Sequence, residues 1–132
     1  MKLLVSVITV SVLSALLCGN IVHAQVPQFG RTELQRQDLN TPGREVVQVL
    51  VDIAPGAQYP RHSHPGEEII YVIQGSLEYT IDGRPPVTLT AGDVYFIPAG
   101  VNHTVRNVGA DKGTELATYI VDKSKPLVSI AK

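Results

Sequence analysis

The chain has 132 residues, 44% hydrophobic and 17% charged, a balance that fits one globular domain and excludes both a two-domain protein and a disordered chain. Eleven basic against twelve acidic side chains give a net charge of −1, so no broad basic surface exists for nucleic acid or an anionic membrane. Trp is absent and aromatics are 5%, which weighs against a large aromatic recognition surface.

Residues 1–24 differ from everything after them. Lys2 supplies a positive start, Leu3 to Leu17 is apolar apart from small Ser and Thr, and Val22-His23-Ala24 offers a cleavage site. The pattern predicts a secretory signal peptide cut between Ala24 and Gln25, with 25–132 as one mature domain. The apolar run is shorter than the roughly 20 residues that span a bilayer, so no stable membrane anchor is expected after cleavage. No Arg-Arg pair precedes it, so passage in the unfolded state and a periplasmic or secreted location are expected. The single cysteine, Cys18, lies inside this leader; the mature chain has neither a disulfide nor a thiolate ligand.

The mature part reads as short β-rich runs separated by Gly, Pro, Asn and Asp. Thr32–Leu39 and Val46–Ile53 are predicted partner strands, joined through Pro42-Gly43 at the centre of a type II turn. Further strands are predicted at 68–74, 76–82, 87–90, 94–97, 103–107 and 115–121. In 76–82, Leu77, Tyr79 and Ile81 alternate with polar residues, giving one buried and one wet face. Ile69 to Ile73 is apolar without a break, so its outer face calls for a cover: a second subunit, or the segment 25–39 folded back. No sustained 3.6-residue period occurs. The expectation is all-β, a sandwich or small barrel with little helix.

Three histidines follow the leader. His62-Ser63-His64 on extended chain puts both imidazoles on one side. Glu68 follows beyond a Pro65-Gly66 bend and shares that side if the register holds, whereas Glu67 faces the other way. His103 starts a later strand. Three neutral imidazoles and a carboxylate suit one borderline divalent ion.

The spacing is more informative than any single residue. Gly56 is followed by five residues, His62, one residue, His64, three residues, Glu68, six residues and Gly75. Gly92 is followed by five residues, Pro98, one residue, Gly100, two residues, His103, three residues and Asn107. With 16 residues between them, these resemble the two motifs of the cupin superfamily. The run from Arg31 to Lys132 is similar to a group of small exported bacterial single-domain cupins. The resemblance implies an antiparallel jelly-roll barrel and His62, His64, Glu68 and His103 as metal ligands. It also implies turn roles for Gly56, Gly75, Gly92 and Gly100, structural roles for Pro98 and Asn107, and a homodimer formed by packing sheets.

The expected function is a mononuclear divalent-metal enzyme acting on a small oxygen-rich organic molecule. A module that binds a sugar or carboxylate without turnover is the alternative, and a polar, ionisable pocket wall would favour the enzyme. Nitrogen and oxygen ligands on an exported protein favour Mn, Zn or Cu, with Fe and Ni also compatible. Gln58, Tyr59, Arg61, Tyr79 and Tyr95 lie near the motifs, and none is singled out as the catalytic base.

Overall fold

A computed structural model describes residues 27–132; the leader and its cleavage site lie outside the described residues. Ten strands follow one another: β1 (Phe29–Asp38), β2 (Arg44–Ile53), β3 (His62–Ser63), β4 (Gly66–Gln74), β5 (Ser76–Ile81), β6 (Val87–Thr90), β7 (Val94–Ile97), β8 (His103–Asn107), β9 (Gly113–Asp122) and β10 (Ser129–Ile130). The described residues contain no helix. The strands form two antiparallel five-stranded sheets, ordered β1-β2-β9-β4-β7 and β10-β3-β8-β5-β6.

Alternation builds the interior. On β2, Val47, Val49, Val51 and Ile53 are buried while the residues between them are half-exposed. Ile70 and Val72 of β4, Leu77, Tyr79 and Ile81 of β5, and Ala117, Tyr119 and Val121 of β9 join them between the two sheets. β1 pairs with β2 as the sequence predicts, and Arg44 N–H donates to the Thr41 carbonyl at 3.2 Å across the Pro42-Gly43 turn. Gly43 has φ +76°, as the third position of a type II turn requires. Strand β10 is the element the sequence does not announce. It pairs with β3 and carries the barrel past residue 122.

The motif glycines 56, 75, 92 and 100 all adopt positive φ. Asn107 is buried and structural. Its Nδ2 donates to the Ile53 and Asp111 carbonyls, and its Oδ1 accepts from Gly109 N–H. The unbroken apolar run resolves into two faces: Ile70 and Val72 are fully buried, but Ile69, Tyr71 and Ile73 are 37–46% exposed. The described part of the N-terminal segment does not cover them, because β1 sits at the opposite edge of that sheet.

Gly66 lets β4 lie directly against β9. A Cβ there would stand 2.0 Å from the Ile120 carbonyl oxygen and 2.7 Å from Val121 Cα, both backbone atoms that cannot swing away. Gly66→Ala is therefore expected to destabilise the protein by more than about 2 kcal/mol, measured by urea unfolding. An unchanged midpoint would mean that the strands separate without cost.

Candidate metal centre

Both sheets contribute to one cluster. His62 of β3 lies opposite His103 of β8 in the register, so the two imidazoles share the inner face. His64 follows β3 directly. Its carbonyl accepts from Gly100 N–H at 3.0 Å, which ties the first motif to the turn that precedes His103. Glu68 comes from the other sheet, where it pairs with Tyr119 of β9 and Ile97 of β7. One ring nitrogen of each histidine lies within 4.8 Å of the others. Glu68 Oε2 is 3.3 Å from His64 Nε2 and 3.1 Å from His103 Nε2. All four side chains are buried.

The Nδ1 atoms decide what this cluster can do. His62 Nδ1 is 2.8 Å from the Pro60 carbonyl, His64 Nδ1 2.6 Å from Leu127 and His103 Nδ1 3.0 Å from Val101. A carbonyl oxygen only accepts, so each Nδ1 carries the proton and each neutral ring keeps its Nε2 lone pair. Two of those lone pairs then face a carboxylate. His64 Nε2 and Glu68 Oε2 are buried and find no hydrogen-bond partner. Buried acceptors aimed at one another are costly unless a proton or a metal cation lies between them. The donor set thus fits a divalent ion.

Burial, then the neighbouring His103, lowers the His62 pKa to about 4. Burial pushes the Glu68 carboxyl up, but when the facing rings carry a proton on Nε2, hydrogen bonds and charge from His103 and His64 outweigh it and bring the pKa to about 2, the proton then standing where a metal cation otherwise would. The ligand set is therefore deprotonated at neutral pH at these two positions. Glu67, by contrast, points away and pairs with Arg44 at 2.8 Å. Alternation separates the two glutamates as the sequence implies.

A narrow cavity opens on the cluster, with room at its floor for about one water-sized body. Beyond the ligands its polar wall is Arg31, Tyr59, Tyr79, Glu115 and Tyr119. Tyr59 meets the His62 ring edge-on at 4.7 Å, and Tyr119 lies 4.6 Å from His64. Among the residues flagged near the motifs, Tyr59 and Tyr79 reach this wall. Arg61 turns outward to Asp82, Gln58 is exposed on a bridge to Arg106, and Tyr95 packs 6.0 Å from Tyr79. Arg31, Glu115 and Tyr119 were not singled out in the sequence. Alternation along β9 carried a signal for two of them, since 115, 117, 119 and 121 share one face.

Glu115 is fully enclosed, and the Tyr79 hydroxyl donates to its Oε2. Burial, reinforced by the Glu68 charge, raises its pKa well above the ordinary carboxyl value. Burial likewise pushes the Tyr119 phenol up, so that it stays protonated.

The Cupin domain family matches residues 49–119, more than half of the chain. Germin-like protein 1-1 of Oryza sativa subsp. japonica is 37% identical over 106 residues, covering 76% of this chain and 45% of that protein. Dimethylsulfoniopropionate lyase DddQ of Ruegeria pomeroyi is 40% identical over 57 residues, 43% of this chain and 28% of the lyase. The DddQ crystal structure superposes with a TM-score of 0.66 at 26% identity, covering 79% of this chain and 52% of that one. An oxalate oxidase in complex with the substrate analogue glycolate gives 0.64 at 29% identity, covering 79% and 55%. The chain spans less than half the length of these curated relatives.

Glu115 gives a pH signature. Its folded pKa lies above the unfolded value, so its stabilising contribution is complete below about pH 4.5 and is lost as pH rises through the folded pKa. Glu115→Gln keeps a partner for Tyr79 and removes this titration. In chelator-treated protein the variant should match the parent near pH 4 and melt progressively higher than it toward neutrality. Parallel melting curves across that range would show that Glu115 ionises normally.

Proposed function

The chain belongs to the cupin family, and on that premise we propose that His62, His64, Glu68 and His103 hold one divalent transition-metal ion in a mononuclear enzyme acting on a small oxygen-rich organic molecule. The observation that carries this reading is the protonation pattern. Three backbone carbonyls take the Nδ1 protons, so the Nε2 lone pairs are left in a buried pocket with an ionised Glu68. The ion supplies Lewis acidity to an oxygen-bearing ligand when bound. The chain supplies the rest: the Arg31 charge, the phenols of Tyr59, Tyr79 and Tyr119, and the buried carboxyl of Glu115. That ionisable wall favours an enzyme over a module that merely binds. The names of two similar proteins, a dimethylsulfoniopropionate lyase and an oxalate oxidase, agree with a small oxygen-bearing substrate.

Export is part of the proposal. Cleavage after Ala24 leaves 25–132 to fold and take up metal in the periplasm or outside the cell. An aerobic exterior disfavours Fe(II), which places Mn, Zn or Cu ahead of Fe and Ni. Elemental analysis after native isolation tests this order, and stoichiometric iron overturns it.

His62→Ala and His103→Ala should each weaken metal binding by at least about 100-fold, because each removes a ligand rather than its support. Protons compete for the same Nε2 lone pairs, so occupancy should fall as pH drops toward about 5. Equilibrium dialysis reads both effects. Two variants that bind as tightly as the parent would sink the metal centre.

A homodimer is the second part of the proposal. Ile69 and Tyr71 of β4 pair with Phe96 and Val94 of β7, and Ile73 continues the row. All five are at least 37% exposed on one outer face, at a sheet edge. Such an apolar patch supports a contact between copies. Sedimentation at micromolar concentration should give a dimer, and Ile73→Asp should give a folded monomer. A monomeric parent removes the dimer.

A further inference from the structure

Among the described residues, Arg31 is the only lysine or arginine on the wall of the histidine cavity. Its place follows from register: Arg31 pairs with Val51, and Val51 pairs with Glu115, so all three side chains lie on the inner face of one sheet. The guanidinium donates from Nη2 to the Tyr119 hydroxyl at 3.3 Å. No carboxylate lies within ion-pair distance of it among the described residues, whereas Arg36, Arg44, Arg61 and Arg106 each hold an acid. The nearest acids on the wall are otherwise engaged. Glu68 faces the histidines and Glu115 takes the Tyr79 proton bond. Most of the planar fork of Arg31 is therefore uncommitted, at the edge of a cavity and still reachable from solvent.

We infer that Arg31 is a carboxylate anchor, and that the ligand of this pocket is a small organic carboxylate held between the Arg31 guanidinium and the His62, His64, Glu68 and His103 cluster. The inference rests on the metal-centre reading and names its ligand class. Charge supports it. A divalent ion and a guanidinium outweigh Glu68 and Glu115 even with both carboxylates ionised, so the pocket is positive and an anionic ligand restores balance. Shape supports it as well. The guanidinium presents paired donors that match a carboxylate, and a cavity with room for about one water-sized body admits a small polar end rather than a ring. Tyr119 holds the fork in place through its hydroxyl, which stays protonated and can accept from Arg31. The broader cleft lined by Pro27, Gly30, Asp52, Ala54, Pro55 and Lys112 offers no comparable cation. Lys112 is 3.1 Å from Asp52, and Asp52 also accepts from Thr114.

The test uses protein loaded with Co(II), whose visible absorption reports metal binding separately from ligand binding. Lactate and its neutral counterpart propane-1,2-diol are then titrated calorimetrically. The parent should bind lactate and prefer it clearly to the diol. Arg31→Gln should bind Co(II) normally and lose about 10- to 100-fold in lactate affinity, the range for a hydrogen-bonded charge pair. Arg31→Lys should recover part of that loss, because it keeps the charge and loses the fork. Arg31 holds no ion pair and one hydrogen bond, to the Tyr119 hydroxyl, so the melting temperatures of the three proteins should differ by no more than about 5 °C. Failure of the parent to bind Co(II) overturns the metal centre itself. Normal Co(II) binding with equal lactate affinity in parent and Arg31→Gln overturns the anchor alone. Equal affinity of the parent for lactate and the diol overturns it too, without recourse to any variant.

Discussion

Three hydrogen bonds from imidazole Nδ1 to main-chain carbonyls set the chemistry of this protein. Each one fixes a tautomer, and together they turn three histidines into acceptors, two of which face the buried carboxylate of Glu68. In water such lone pairs would be solvated at no cost. Inside a barrel they are a polar deficit that folding alone does not repair. The donor set suits a cation that the polypeptide does not supply, and the fold holds its members together.

The two sheets accomplish this by dividing the ligands. His62 and His103 stand opposite one another on β3 and β8, while Glu68 comes across from β4 of the facing sheet. Close backbone approach at Gly66 sets the position of β4 against β9, and the Gly100 to His64 bond joins the two motif turns. The third Nδ1 partner is the carbonyl of Leu127, just before β10. The C-terminal segment is therefore part of the centre, although it contributes no ligand side chain.

Around the ligands, the same interior carries two kinds of environment. Apolar side chains fill most of the space between the sheets, but the wall near the histidine cluster is lined by phenols, a buried acid and one arginine. Enclosure raises the Glu115 pKa well above the ordinary carboxyl value. Arg31 escapes this enclosure because β1 is an edge strand, so its charge remains partly solvated at the mouth. The outer face of the sheet that bears β4 and β7 is different again: apolar, exposed and away from the chemistry.

Periodicity and spacing determined a great deal by themselves. The all-β class followed from short alternating runs, and most strand bounds agree within about two residues. The type II turn at Pro42-Gly43, the inward Glu68 against the outward Glu67, and the grouping of His62, His64 and His103 were all legible. Each depends on local geometry that the residues themselves impose. What only the tertiary structure decided depends on chain segments far apart in sequence. The bond from His64 to Leu127 spans 63 residues and the bond from Arg31 to Tyr119 spans 88. No local pattern in the sequence marks such pairs. Glu115 reads as an ordinary charge until Tyr79 of the facing sheet meets it, and Arg31 as a surface cation until its pairing with Val51 puts it on the cavity side of β1. Spacing along the chain fixed where the ligands lie; which proton, charge and carbonyl surround them is settled by the closing of one sheet over the other.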